Sequence, residues 1–294
     1  MTKKPLISII MNCFNGEDYI KQSIESIFSQ TYENWELIFW DNNSNDKSVE
    51  IFKKYHDPRL KFFSSTNHTV LYEARNNAIQ KCRGEFLTFL DTDDYWLPNK
   101  LQEQIKLFDN EKIGLVYSNY WVVNERLLSK KKIFSKKKLP TGKVLDELLL
   151  NYSVGILTVM LRVKYIKNIK NVFNTTYDLL ADYDFVINFS IENEFECIQE
   201  PLACYRIHDK QTSLKFNAEQ IFQMEKWYQS KQKDPFFSKK KEMSQVLKNI
   251  NHMKSIKIIL NSNFYQSIIE VFKSPFIFKK LRLFISLKNG KLIK

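Results

Sequence analysis

Residues 86–94 read Phe86-Leu87-Thr88-Phe89-Leu90-Asp91-Thr92-Asp93-Asp94, five apolar or β-forming residues that run straight into three carboxylates. Such a run is too short for a helix and reads as a buried strand. Four more segments have the same character: Leu6 to Met11, Trp35 to Trp40, Leu60 to Phe63 and Leu115 to Tyr120. Between them, Ile20, Ile24, Ile27 and Phe28 recur at helical spacing, as do Leu71, Ala74, Ala78 and Cys82, then Leu97, Leu101, Ile105 and Phe108. Alternation of this kind predicts an α/β fold, a mainly parallel, Rossmann-like sheet flanked by helices. Ligands of such sheets bind at the C-terminal strand ends. The loops there are Asn12 to Asn15, Asp41 to Asp46 and Asp91 to Asp94, all rich in side-chain oxygen.

Three adjacent carboxylates repel one another unless a cation neutralises them. Magnesium takes one or two protein carboxylates and completes its shell with water and phosphate oxygens, which an Asp-x-Asp pair can supply. The bare motif carries little, because aspartates also cap helices and form turns. Its place at a strand end gives it weight.

The 294 residues carry a formal charge of +12, but unevenly. From Gln211 to Lys294 there are 17 Lys and Arg against five Asp and Glu, which leaves 28 of each before Gln211. The expected organisation is therefore a neutral domain over 1–214 and a basic helical region over 215–294. Helical spacing in that region includes Met243, Val246, Leu247 and Ile250, then Phe264, Ile268, Ile269 and Phe272. Near the end, Ile277, Leu281, Phe284 and Ile285 fall on one helical face, opposite Lys279, Arg282 and Ser286, the pattern of an interfacial helix. The longest apolar run, Leu148 to Leu161, is broken by Asn151 and Ser153 and is too short to span a membrane. Cys13, Cys82, Cys197 and Cys204 show no C-x-x-C spacing, so neither a zinc site nor a disulfide framework is expected. With no export signal at the N-terminus, the expectation is a cytoplasmic protein, peripheral at the inner face of the membrane.

Several blocks fit one known pattern together. Ser8 to Asn15, Gln30 to Leu37 and Asp41 to Asp46 closely resemble the N-terminal half of family 2 inverting glycosyltransferases of the GT-A fold. So do Ala74-Arg75-Asn76-Asn77-Ala78 and Arg83-Gly84-Glu85 with the carboxylate loop and Trp96. The resemblance covers residues 5–125 well and 150–215 more loosely. It implies that Phe14 lies against the nucleotide base, with Asn15 beside it, that Asp41 hydrogen-bonds uracil and that Arg75 contacts base and phosphate. Asp91 would reach the ribose or sugar, and Asp93, with Asp91, would bind the Mn2+ or Mg2+ that bridges the diphosphate. In Ala181-Asp182-Tyr183-Asp184-Phe185, Asp182 matches the general base and Asp184 is secondary. In Tyr205-Arg206-Ile207-His208, Arg206 and His208 would close over the diphosphate, His208 completing the metal shell.

Two departures stand out: Asn42 and Asn43 follow Asp41 where a second acid and a glycine are common, and Asn12 replaces a common proline. The implied donor is a nucleotide sugar, with UDP as the expected nucleotide, and the acceptor a glycan or lipid-linked oligosaccharide of surface polysaccharide biosynthesis. A nucleic-acid-binding reading rests on the basic, aromatic-containing tail. Against it, the tail has no RNA-binding signature and the first domain presents carboxylates. A nucleotidyltransferase would leave Asp182 without a role.

From Arg126 to Lys143 the chain is basic and aperiodic, with Lys130 to Lys132 and Lys136 to Lys138 flanking Ile133 and Phe134, and reads as a surface loop or hairpin. Beyond it, Ile156 to Leu161 reads as a strand, a helix begins near Asp182, and Leu202 to Arg206 reads as a short strand.

Overall fold

A computed structural model describes residues 4–124, 131–208 and 218–261, with side chains to residue 257. They fall into two compact units, which meet in sequence at Gln211 and Thr212. The first unit opens with β1 (Ile7–Cys13), α1 (Ile20–Phe28), β2 (Trp35–Asp41), α2 (Ser48–Lys53), β3 (Leu60–Ser64), α3 (Leu71–Ile79) and β4 (Phe86–Phe89). β5 (Tyr95–Trp96), α4 (Lys100–Lys106), β6 (Ile113–Asn124) and β7 (Lys131–Ile133) follow. α5 (Leu145–Leu150), β8 (Met160–Arg162), α6 (Ala181–Glu192) and β9 (Glu194–Ile207) complete it. The strands form one sheet in the order β3-β2-β1-β4-β8-β6-β9-β5, with β7 paired to β6.

The pairings β3-β2, β2-β1 and β1-β4 are parallel, as βαβ crossovers require. β8 enters antiparallel between β4 and β6, while β6 and β9 run parallel. The result is a mainly parallel sheet whose second half is mixed. One face is packed by a core of Ile7, Ile9, Met11, Leu37, Phe39 and Leu90 with Ile20, Ile24 and Ile27 of α1. Each buried aliphatic side chain of this kind contributes roughly 1.5–3 kcal/mol.

Elements differ from the expected pattern at several places, and Leu97 and Cys82 lie outside α4 and α3. The stretch Ile156 to Leu161 is extended only from Met160, because Thr158 donates from both its amide and its hydroxyl to the Gly155 carbonyl and so closes a 3-10 turn. The short strand at Leu202 is part of a 14-residue β9 that begins at Glu194. Its alternation is interrupted at Pro201, where the β6 register shifts, the place a sheet tolerates proline. Leu71 and Leu247 are exposed rather than on the buried faces of their helices. The basic segment, expected as a loop or hairpin, includes among its described residues β7, which pairs antiparallel with β6.

All four cysteines are free. The second unit holds α7 (Ala218–Lys233), α8 (Pro235–Ser238) and α9 (Met243–Asn261), with Met243, Val246 and Ile250 buried. The expected helical positions Phe264 to Phe272 and the amphipathic positions Ile277 to Ser286 lie outside the described residues. Among the described residues no helix is long and apolar enough to cross a membrane.

The block Arg83-Gly84-Glu85 acts at the N-terminal strand ends. The buried Glu36 carboxylate accepts from the Ser8 hydroxyl at 2.7 Å, the Arg83 amide at 2.8 Å and the Arg83 guanidinium at 2.9 Å. Ser8 Oγ in turn accepts from the Gly84 amide at 2.9 Å. A Cβ on Gly84 would lie 2.6 Å from the Ser8 backbone nitrogen. Gly84→Ala should therefore cost on the order of 2 kcal/mol and lower Tm by roughly 4–8 °C. Calorimetry giving an unchanged Tm would contradict this packing.

Candidate active site

Three loops at the C-terminal ends of β1, β2 and β4 lie against one another. A Cβ on Gly16 would lie 2.8 Å from Thr92 Oγ1, so the first loop reaches the carboxylate loop only because residue 16 is glycine. The Ser23 hydroxyl of α1 lies 2.7 Å from the Thr92 carbonyl and 2.6 Å from that of Asp94, fixing the turn. Asn15 takes φ +54° and its side-chain oxygen accepts from the Asn45 amide at 2.9 Å. Asn15 thus joins the first and second loops.

The second loop explains both asparagines. Asn43 adopts φ +67°, which asparagine tolerates better than most residues. Asn42 donates to the Thr69 carbonyl at 2.7 Å and accepts from the Thr69 amide at 3.2 Å and hydroxyl at 3.0 Å. An aspartate could not make the donor half of that clamp. The clamp sets His68, whose ring centroid lies 3.9 Å from that of Phe14. Phe14 is 49% exposed, so this pair offers an open aromatic surface beside the buried Asp41, which accepts from the Ser44 amide at 3.1 Å. His68 carries no motif and was not identified from the sequence; its isolation between loops gave no signal.

On the α3 face of β1, the Asn12 amide is buried with neither its oxygen nor its nitrogen bonded within the protein. Its register partner on β2, Trp40, has an unbonded indole N–H. Burying such groups without partners is costly.

The carboxylates of the third loop have separate fates. Asp91 accepts from the Arg75 guanidinium at 2.5 Å, and Arg75 is 2% exposed. Asp93 lies with its Oδ2 3.0 Å from His208 Nε2. Burial first, then the Asp91 charge, pushes the Asp93 carboxyl above the usual range, with His208 pulling it back. Asp94 is buried and accepts from the Arg206 amide at 2.9 Å; burial and its two neighbouring carboxylates hold it well above the usual range.

Arg206 donates from Nε to the Asp93 carbonyl at 2.7 Å and from Nη2 to the Gln22 side chain, with its guanidinium over the Tyr19 and Tyr95 rings. It is buried, and it shapes the loop that carries Asp93. Among the described residues no group of three His, Cys, Asp or Glu is placed to hold a metal by itself. Asp93 and His208 do form a two-donor set of oxygen and nitrogen. That suits a divalent cation whose other positions come from phosphate and water.

Asp182 begins the first turn of α6. Asn76 of α3 fixes the approach to that helix, donating to the Phe173 carbonyl at 2.7 Å and accepting from its amide at 2.9 Å. Phe173 packs on Tyr72 at 5.3 Å and on Phe185 of α6 at 5.4 Å. The Asp182 carboxylate consequently lies beside Tyr72 and near Tyr152. Burial first and that carboxylate second hold both phenols well above their usual range. Arg75 also feels Asp182, so one guanidinium is electrostatically linked to Asp91 and Asp182. Asp184 is buried and bonded to Asn188 at 2.9 Å.

Comparison with known proteins agrees with this geometry. Residues 8–169 match glycosyl transferase family 2. The chain is 32% identical over 212 residues to the Escherichia coli UDP-Glc:alpha-D-GlcNAc-diphosphoundecaprenol beta-1,3-glucosyltransferase WfgD, covering 72% of this chain and 80% of that one. Its fold is similar to that of Staphylococcus aureus TarS 1–349 in complex with UDP, with a TM-score of 0.64 at 16% identity over 90% of this chain and 78% of that one. It is also similar to the mannosyltransferase PcManGT from Pyrobaculum calidifontis in complex with GDP-Man and Mn2+, with a TM-score of 0.63 at 14% identity over 99% and 84% of the two chains. By its sequence match, and with a GT-A architecture shared with these structures, the chain belongs to glycosyl transferase family 2 and is a glycosyltransferase.

Proposed function

We propose that this enzyme moves a sugar from a UDP-sugar to a hydroxyl of a lipid-linked glycan, with inversion at the anomeric carbon. The observation that carries the reading is the division of the carboxylate loop. Arg75 neutralises Asp91 from within the protein, whereas Asp93 stands with His208 and is paired to no Lys or Arg among the described residues. The donor named for the E. coli relative is UDP-Glc and its acceptor is diphosphoundecaprenol-linked, which supports the same substrate classes here.

In this reading the uracil lies against Phe14 and His68, with its polar edge toward Asp41 and the unbonded amide of Asn12. Asn15 and Arg206 act by shaping the loops around the donor. Asp91, held by Arg75, contacts the ribose or sugar. Asp93 and His208 hold Mn2+ or Mg2+. When bound, the cation offsets the charge of the departing diphosphate. Asp182 takes the proton from the acceptor hydroxyl as its oxygen bonds to the anomeric carbon and the bond to the diphosphate breaks on the opposite side. The basic region 215–294 holds the enzyme at an anionic membrane face, where a lipid-linked acceptor lies.

Asp93→Asn should abolish manganese-dependent UDP binding in calorimetry while circular dichroism stays unchanged; normal binding would refute the metal assignment. Asp182→Asn should lose about 10²- to 10⁴-fold in kcat with donor affinity retained. Near-normal turnover would remove Asp182 as the base, and weakened donor binding would give it a binding role instead. The protein should co-sediment with anionic vesicles at low salt and be released at high salt; its remaining in the supernatant at low salt would refute the membrane role.

A further inference from the structure

The basic hairpin takes no part in the donor chemistry, yet one aromatic ring on it is held with unusual care. β6 loses register at Ser118, Asn119 and Tyr120. At that irregularity the Asn119 side-chain oxygen accepts from the Tyr120 amide at 3.0 Å and the Ser135 amide at 3.2 Å, and its nitrogen donates to the Ser135 carbonyl at 2.8 Å. The Phe134 amide donates to the Tyr120 carbonyl at 2.9 Å. These bonds lay the Phe134 ring over Tyr120, with centroids 4.4 Å apart and planes 15° from parallel. Phe134 nevertheless remains 40% exposed. Tyr120 is wedged from another side by Gly155, where a Cβ would lie 2.9 Å from its ring. A rigid aromatic face left open to solvent is suited to stacking on the C–H face of a sugar.

The stack adjoins the element that holds the carboxylate loop: the Tyr120 ring lies 6.1 Å from that of Tyr205, the residue before Arg206, which binds the Asp93 carbonyl. Tyr120 feels the Asp94 charge, and Tyr152 feels both Tyr120 and Asp182. Flanking Phe134 in sequence are Lys131, Lys132, Lys136, Lys137 and Lys138, all exposed. None of the five is ion-paired among the described residues. Lys131 lies near Cys204, the register partner of Tyr95, which directly follows Asp94. Five unpaired cations within eight residues repel one another and favour a multiply charged anion.

The geometry points to an acceptor subsite in which the sugar that receives the new bond stacks on Phe134 and a diphosphate attached to it is held by the hairpin lysines. This rests on the transfer reaction proposed above, and it names the acceptor as a sugar diphosphate rather than a neutral glycan. Two soluble probes separate the parts: hexyl N-acetylglucosaminyl diphosphate and the corresponding hexyl glycoside without phosphate. Calorimetry with UDP-loaded full-length protein should show the diphosphate probe binding about tenfold more tightly than the glycoside. Phe134→Ala should weaken both probes about tenfold with UDP affinity unchanged, and Phe134→Tyr should restore them. Joint replacement of Lys131, Lys132, Lys136, Lys137 and Lys138 by Ser should remove only the diphosphate advantage.

Wild-type binding of neither probe, or unchanged probe affinity in Phe134→Ala, would overturn the subsite. A lysine variant that loses binding to phosphatidylglycerol vesicles yet keeps the diphosphate advantage would also overturn it, by giving the lysines to the membrane. Failure of the wild-type protein to bind UDP would strike the donor reading instead, and direct probe binding would still decide the subsite.

Discussion

Arg75 is a guanidinium buried in the first unit, and the arrangement of the site depends on how its charge is met. A charge removed from water must be paired, and losing its partner typically costs about 3–5 kcal/mol. Asp91 supplies the partner at 2.5 Å, across from α3 to the end of β4. The guanidinium also lies 5.1 Å from the Tyr72 ring centroid and feels the Asp182 carboxylate. Three elements far apart in sequence, α3, the end of β4 and the start of α6, are thereby tied to one positive charge. Asp91 is paired to that charge directly, and Asp182 lies within its field.

Fixing Asp91 in this way leaves Asp93 as the carboxylate of the loop that is neither salt-bridged to arginine nor wholly enclosed. Its backbone is fixed from two sides, and its side chain meets His208. Ser23 binds the carbonyls on either side of it, Arg206 binds its own carbonyl, and Asp94 is turned inward to the Arg206 amide. The loop is held from α1 and β9 together, which presents the Asp93 side chain beside His208. Such preorganisation is what a site that must bind a charged leaving group requires.

The first four strands, the helices between them and the strand-end loops were legible because their signals are local, either apolar runs or helical periodicity. Asp91, Asp93 and Asp182 could be picked out by position and resemblance. What they do to one another could not, since Arg75 and Asp91 are 16 residues apart and Asp93 meets His208 across 115. β9 was underestimated because Pro201 and the polar residues before it hide a strand that pairs with β6 through a register shift. Lys100 would be placed on the surface by its type. It is instead fully buried, 4.1 Å from the Trp96 ring centroid and bonded to Thr88 and Gln104. His68 and the Phe134–Tyr120 stack depend on loop conformations set by Asn42 and Asn119, whose bonding partners no sequence pattern names.

The central claim is that Arg75 retains Asp91 while Asp93 and His208 receive the cation. A crystal structure of the protein with UDP and manganese, with anomalous scattering collected at the manganese edge, addresses it directly. An anomalous peak within bonding distance of an Asp93 oxygen and His208, with Asp91 still paired to Arg75, is the expected result. A peak bound by Asp91, with the Arg75 pair broken and Asp93 outside the metal shell, would contradict it.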